Sequence, residues 1–401
     1  MSHIIVVGAG QAGSSMVVKL RNLGFEGKIT LVGEEPVPPY QRPPLSKKYL
    51  LGEMALERLY LRPEQFYSDH NIELKLGNPV TAIDADAKTI TVGGETLTYD
   101  QLAITTGSTP RQLPTAIGGT LEGVHVVRTL ADVDAMANDV KDGAKALIVG
   151  GGYIGLEAAA VARKMGVAVT VIEMADRILQ RVAAPETSDY FRDLHAQNDV
   201  TILEKTGLTR LTGEGRVSGA ELSDGTMLAV DFAIVGVGVT PNHSLAEMAG
   251  VTLDNGIAVN EFGQTSDPTI WSAGDCASFP YQGNRIRLES VQNAIDQAEQ
   301  IAANMLGEPT AYVPKPWFWS DQYDTKLQIA GLNTGYDQTV VRKGDKEGSQ
   351  SVWYFKGDQL LAVDAMNDPR PYMIGKRMIE AGKSPTPAQV GDPATDLKAL
   401  M

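Results

Sequence analysis

The chain has 401 residues, 43% hydrophobic and 21% charged, long enough for about two or three domains with cores of their own. Its formal charge of −14 excludes a general nucleic-acid-binding surface and a polybasic membrane anchor. A single cysteine, Cys276, excludes an intramolecular disulfide, a CxxC redox pair and a thiolate metal cluster.

The first apolar run, residues 3–7, begins almost at the initiator methionine and leaves no room for a signal peptide, so a cytoplasmic location is expected. The run reads as a buried strand ending at Gly8, and Gly8, Gly10 and Gly13 form a GxGxxG fingerprint before a helix over 14–23. A second strand, 28–32, leads to Glu34. The fingerprint glycines allow a tight turn, close approach of backbone to a pyrophosphate, and close packing of helix on strand. The helix N-terminus adds free N–H groups and the positive end of a dipole. A carboxylate about 20 residues on is placed to take a ribose hydroxyl. After Glu34 come a proline-rich loop (Pro36, Pro38, Pro39, Pro43, Pro44) and short strands with turns at Gly77-Asn78-Pro79 and Gly93-Gly94. An apolar run over 99–107 then ends in a small-residue turn containing Thr106 and Gly107.

The pattern repeats. Strand 146–149, the fingerprint Gly150, Gly152 and Gly155, a helix over 156–165, strand 168–172 and Glu173 form a second unit. Another apolar run, 231–238, closes at Gly238. The most apolar later stretch, 146–162, is interrupted by Glu157 and glycines, so no membrane span is expected. Two such units predict an α/β protein with two Rossmann-like, three-layer nucleotide-binding domains, the second inserted in the first. The first domain takes residues 1–112 and 242–316, and the second 113–241. Past Pro316 the aromatic run Trp317-Phe318-Trp319-Ser320-Asp321-Gln322 opens a C-terminal α+β domain, 317–401, with strands over 326–332, 339–342 and 351–355 and a helix over 371–381. The five histidines are scattered without metal-ligand spacing, so no metal is expected. Gly382-Lys383-Ser384 is no phosphate loop, because Arg377 stands where its first glycine would fall.

Residues 265–277 hold a turn, a short strand and then Gly274-Asp275, an acid at the mouth of a nucleotide site. With the two fingerprints and the Thr-Thr-Gly turn, this motif resembles the pyridine-nucleotide-dependent flavoprotein superfamily. Residues 39–47 (Pro-Tyr-Gln-Arg-Pro-Pro-Leu-Ser-Lys) and 317–322 resemble one branch of it, the bacterial ferredoxin reductases of oxygenase systems, of the putidaredoxin reductase type. The likeness spans essentially the whole chain, and bacterial relatives of apoptosis-inducing factor share it.

The resemblance implies FAD at Gly8, Gly10, Ala12, Gly13, Glu34, Arg42, Lys47, Val80, Thr106, Gly107, Arg128, Asp275 and Val291. Asp275 would hold the ribityl chain and Glu34 the ribose, while Lys47 would lie near the flavin N5 edge, where a cation stabilises the reduced ring. It implies a nicotinamide dinucleotide at Gly150, Gly152, Tyr153, Ile154, Gly155, Glu157, Glu173 and Gly238. Glu157, read in the first helical turn, would meet Lys47 and the carboxamide, or act as a helix-dipole partner. Trp319 would face the isoalloxazine; Trp317 reads equally well as a core aromatic. Lys47, Glu157 and Trp319 are the expected catalytic residues.

Glu173 favours NADH, since a carboxylate binds a 2′-hydroxyl and repels a 2′-phosphate; Arg177 and Arg181, just beyond it, are what an NADP site would use. The loop at 36–47 has no cysteine, unlike disulfide reductases and peroxide-type oxidases of the superfamily. Electrons must therefore leave FAD for an external acceptor. The expected partner is a two-iron ferredoxin feeding a monooxygenase or Rieske dioxygenase. The alternatives are a rubredoxin reductase, an NADH oxidase, or a redox sensor like apoptosis-inducing factor. Residues 36–62 and 369–383 each carry a net charge of +3 in this acidic chain, which suits an acidic ferredoxin.

Overall fold

The computed structural model describes residues 2–307 and 309–401 and divides into two compact units. One comprises Met1–Arg42, Met54–Thr109 and Val239–Pro316; the other comprises Pro43–Glu53, Pro110–Gly238 and Trp317–Met401. Residues 43–53, which carry Lys47, thus group with the second unit.

The first unit is built on a five-stranded sheet in the order Ile270–Ser272, Gln101–Ile104, His3–Val7, Lys28–Gly33, Ile72–Leu76, with every pair parallel. The run at 4–7 is apolar at every position because both faces of a parallel sheet are covered. Ile4 and Val6 pack with Met16, Leu20, Ala298 and Ile301 from the helices Gln11–Asn22 and Val291–Met305. Ile5 and Val7 pack on the other face with Ile83, Ile90 and Val92 of a three-stranded meander. Helices, sheet and meander make three layers.

The second unit repeats the plan. Its parallel sheet runs Thr201–Leu203, Ala168–Ile172, Lys145–Val149, Phe232–Val235, Val124–His125. The helix Tyr153–Lys164 follows the second fingerprint. Both fingerprint helices start three residues before the sequence reading placed them, at Gln11 and Tyr153. The reason is steric: the third glycine of each fingerprint lies inside the helix, where its bare Cα packs against the loop.

The C-terminal segment forms a five-stranded antiparallel sheet in the order Trp317–Gln322, Thr325–Gly331, Gln359–Met366, Gln350–Lys356, Gln338–Lys343. Successive residues of the Gln350–Lys356 strand separate to opposite faces. Trp353 and Phe355 pack with Ile374 and Met378 of the helix Pro369–Glu380. Val352 and Tyr354 pack with Leu156, Ile178 and Phe191. No helix among the described residues is long and apolar enough to cross a membrane.

Candidate functional site

In the first unit the glycine turn is fixed by close packing. A Cβ on Gly8, whose φ is +112°, would stand 2.3 Å from the Thr105 carbonyl oxygen, and one on Gly13 would stand 2.0 Å from that of Gly8. Over Gly10, by contrast, nothing lies within 4 Å. Gly10 is the N-cap of a twelve-residue helix and offers no side-chain cap, so its first amides point into open space. Open room above uncapped amides at the positive end of a helix fits a dinucleotide pyrophosphate. Ala12 is buried in the helix behind this turn, and Glu34 is exposed one residue past the Lys28–Gly33 strand.

The remaining predicted FAD positions of this unit are tied together by polar contacts. Thr106 Oγ1 donates to the Asn242 carbonyl at 2.6 Å, and Asn242 Nδ2 donates back to the Thr106 carbonyl at 3.0 Å, fixing the turn at Gly107. Asp275 accepts from Ser108 Oγ at 3.1 Å, while its backbone carbonyl accepts from Arg287 at 2.7 Å. Gly274, at φ +82°, turns the chain so that its N–H donates to Gln297 Oε1 at 2.8 Å. Val291 opens its helix behind the N-cap Ser290, and Val80 opens a meander strand, half-buried. Arg42 bonds Glu35 Oε1 at 2.7 Å and stacks over the Tyr40 ring. Cys276 is fully buried against Ser272, and burial pushes its thiol up, so it stays protonated and out of reach.

The second unit repeats the cradle. A Cβ on Gly150 would meet the Gly236 carbonyl oxygen at 2.4 Å, one on Gly155 that of Gly150 at 2.1 Å, and one on Gly152 nothing within 4 Å. Glu173 folds back onto this loop: Oε2 accepts from the Gly151 N–H and Oε1 from the Ala175 N–H, both at 2.8 Å. Ile154 is exposed beside it, and Gly238, at φ +101°, ends the opposite loop. Arg177 turns inward, bonded to Ser188 Oγ and to the Ala183 carbonyl, whereas Arg181 is exposed. Arg128 is half-buried just before the capped helix Leu130–Ala137.

Lys47 and Glu157 come together within this unit. Lys47 Nζ lies 3.0 Å from Glu157 Oε1, and Ser320 Oγ donates to the same oxygen at 2.7 Å. Glu157 is the fifth residue of its helix rather than a first-turn acid, and it is buried, so the ion pair and not the helix dipole is its partner. Burial pushes its carboxyl above the usual range, opposed by the Lys47 ammonium and the Ser320 hydroxyl. Tyr153, at the head of the helix, packs against Phe318 at 5.2 Å between ring centroids. Trp319 and Trp317 are both half-buried and 5.5 Å apart. Trp317 packs onto the Ala330, Ala365 and Tyr372 core, so the core role falls to it. Ser320, which bonds Glu157, and Gln322 and His195, which follow it in the hydrogen-bonded row, were not among the expected site residues. The alternation of the 317–322 run, had it been read as a strand, puts Ser320 and Gln322 on one face.

The residue pattern of the pyridine nucleotide-disulphide oxidoreductases matches residues 2–298, and that of a reductase C-terminal domain matches 317–401. The chain is 42% identical to rhodocoxin reductase of Rhodococcus erythropolis, over 98% of this chain and 93% of that protein. It is 40% identical to putidaredoxin reductase of Pseudomonas putida, over 100% of this chain and 96% of that one. Among solved structures, the covalent putidaredoxin reductase–putidaredoxin complex matches with a TM-score of 0.96 and 40% identity, covering 100% of this chain and 98% of that chain. A ferredoxin reductase from Rhodopseudomonas palustris matches with a TM-score of 0.96 and 39% identity, covering both chains fully at 100%.

Proposed function

The chain belongs to the pyridine nucleotide-disulphide oxidoreductase family, and from that membership we propose that it is an NADH:ferredoxin reductase, carrying electrons through FAD to a two-iron ferredoxin of an oxygenase system. Bound FAD supplies the chemistry no side chain has, accepting a hydride and releasing its electrons one at a time. The observation that carries the reading is the placement of Cys276. The one thiol of the sequence is sealed in the core, so the chain holds no cysteine to receive electrons and must deliver them to an external acceptor.

The first glycine turn would hold FAD phosphates on the amides after Gly10, with Asp275 accepting from the ribityl hydroxyls and Glu34 from the ribose. Lys47 would set a positive charge beside the flavin. Glu157 holds the Lys47 ammonium in place and would bind the carboxamide of the nicotinamide. The second glycine turn would take the NADH pyrophosphate, and Glu173, fixed by two backbone amides, would accept from the ribose and repel a 2′-phosphate. The inward-turned Arg177 supports NADH over NADPH, since its guanidinium is committed to Ser188 and Ala183. Trp319 would cover the reacting rings. The proposal includes three domains, 1–112 with 242–316, 113–241 and 317–401, and a cytoplasmic site of action.

The basic stretches are partly neutralised. Arg42 pairs with Glu35, Lys47 with Glu157, Lys376 with Glu380 and Arg370 with Asp396. Lys48, Arg58 and Arg377 are exposed, and they are the cations offered to an acidic ferredoxin. The test is steady-state reduction of a two-iron ferredoxin by NADH against salt. The rate should fall as ionic strength rises, while reduction of ferricyanide changes little. Ferredoxin reduction indifferent to salt would place docking elsewhere, and no ferredoxin reduction at all would overturn the reading.

A further inference from the structure

The strand Trp317–Gln322 alternates faces, and Phe318, Ser320 and Gln322 share the one turned toward the helices Tyr153–Lys164 and Pro185–Gln197. Phe318 meets Tyr153, Ser320 meets Glu157 one helical turn on, and Gln322 meets His195. Four contacts join end to end. Ser320 Oγ lies 2.7 Å from Glu157 Oε1, Gln322 Nε2 lies 3.2 Å from Ser320 Oγ, His195 Nε2 lies 2.8 Å from Gln322 Oε1, and Tyr323 Oη lies 3.1 Å from His195 Nδ1. Ser320, Gln322 and His195 are fully buried, and Tyr323 is half-buried.

Chemistry fixes the direction of every hydrogen. Glu157, paired with Lys47, is a carboxylate and can only accept, so the Ser320 hydroxyl donates to it. That leaves Ser320 Oγ to accept from the Gln322 amide, which sets the Gln322 carbonyl toward His195. A carbonyl only accepts, so His195 carries its proton on Nε2, and a neutral imidazole then accepts at Nδ1 from the Tyr323 hydroxyl. A primary amide does not relay protons as a hydroxyl does, so the chain is no proton path. The four donors run in one direction, each to the next group, and the last of them, Ser320, donates to Glu157 Oε1.

We propose that Ser320, Gln322, His195 and Tyr323 form a directional donor chain that positions Glu157 and holds it as the carboxylate partner of Lys47. This rests on the reading of Lys47 and Glu157 as the charged pair of the hydride-transfer site. Burial keeps His195 neutral by pushing its pKa down to about 4, so the chain holds its direction through the neutral range. The charged groups facing the chain are few among the described residues. Lys47 faces Glu157 from the turn at 45–49, the Asp321 backbone also bonds that carboxyl, and Arg163 on the Glu157 helix faces Tyr323.

The test uses the purified full chain and two kinds of readout. Imidazole ¹⁵N shifts give the His195 tautomer, and side-chain ¹³C shifts, assigned with Glu157→Gln, give the Glu157 titration; stopped-flow reduction by NADH across pH gives the acid limb. His195 should be the neutral Nε2–H tautomer down to about pH 5. Ser320→Ala should raise the Glu157 titration by about one pH unit and move the acid limb with it. Ser320→Thr, which keeps the hydroxyl, should return both toward wild type, and Tyr323→Phe should shift them the same way by less. An Nδ1–H tautomer would overturn the proposal, as would a Ser320→Ala that slows reduction equally at all pH while Glu157 titrates unchanged. If Ser320→Ala does not fold, the wild-type tautomer and Tyr323→Phe still decide it. A wild type that NADH does not reduce would sink the functional reading instead, leaving the two NMR readouts to judge the chain.

Discussion

The two glycine turns look like copies, yet they place their acids differently. Val7 pairs with Val32 and Val149 with Ile172, so Glu173 stands in the register position that Gly33 holds in the first unit, and Glu34 comes one residue later. The second residue of each fingerprint supplies the reason. In the first unit it is Ala9, whose methyl would lie 2.6 Å from a Cβ on Gly33, so only glycine fits at the strand end and the acid is displaced outward. In the second it is Gly151, where a Cβ would meet Ile178 at 2.6 Å and Glu173 Cβ at 3.2 Å. There the acid keeps its place and folds onto the Gly151 N–H. The glycine loop takes the folded-back carboxylate of Glu173 on its N–H, and the alanine loop leaves Glu34 exposed.

The shared part of the plan gives the largest expected effect. Gly13→Val and Gly155→Val should each abolish the native fold of their unit, because the side chain would be driven into the preceding carbonyl. Gly10→Ala and Gly152→Ala should fold, since nothing in the protein stands near the new methyl, and should lose FAD and NADH affinity respectively. Thermal unfolding, flavin retention and NADH titration measure these effects. Equal damage from all four would show that the third glycine is not distinguished by packing from the second.

The units differ next in what lies behind the helix. The first buries a neutral pair, Ser14 Oγ and Tyr67 Oη at 2.8 Å; the second buries Glu157 and His195. Of these groups only His195 confers acid sensitivity, because the raised Glu157 carboxyl contributes in the opposite sense. Unfolded, His195 binds a proton below about 6.5; folded, only below about 4. The unfolded state binds more protons in that window, so stability is whole above it and falls as pH drops through it, by roughly 3 kcal/mol at the bottom. Asp364, whose carboxyl burial pushes up to about 6, runs the other way, so its contribution is lost as pH rises. Subtracting a His195→Gln denaturation series from the wild type isolates the histidine. A flat difference between pH 4 and 6.5 would show that His195 is protonated in the fold.

The Ala9 and Gly33 contact sharpens the comparison further. Gly33→Ala should cost about 1–3 kcal/mol, and adding Ala9→Gly should recover most of it, a coupling read from a double-mutant cycle in urea. Additive losses would remove the steric reason for the displaced acid.

A smaller effect separates the acids by function. The ratio of kcat/KM for NADH over NADPH should be at least about tenfold, about 1.4 kcal/mol, and Glu173→Gln should shrink it. Glu34→Gln should leave that ratio alone. A wild type that uses both coenzymes equally would give control of the site to the exposed Arg181.

Much of this was legible because parallel strands write themselves as unbroken apolar runs: 3–7, 146–149 and 168–172 all emerged as strands. The fingerprint glycines were legible as spacing. What escaped was whatever depends on which face a residue takes in a segment without a repeating pattern. The strand Gln359–Met366 was missed because Asp364 interrupts its apolar run, and that carboxyl is tolerated only because Thr187 and Tyr354 donate to it from distant sequence. The helix Pro185–Gln197 was missed because its polar positions crowd a short apolar stripe, and with it went His195. Glu157 and its partner Lys47 were found through the resemblance, but Ser320 was not, since it lies 163 residues away and nothing local marks the contact.

The central claim is that one chain couples a two-electron donor to a one-electron acceptor protein. Anaerobic mixing of the yellow protein with one equivalent of NADH, followed by excess oxidised two-iron ferredoxin, tests it by stoichiometry. The account predicts prompt loss of flavin colour and then about two ferredoxins reduced per NADH, one electron each. A colourless protein that ignores added FAD, or a flavin that NADH reduces and ferredoxin does not reoxidise, would contradict it.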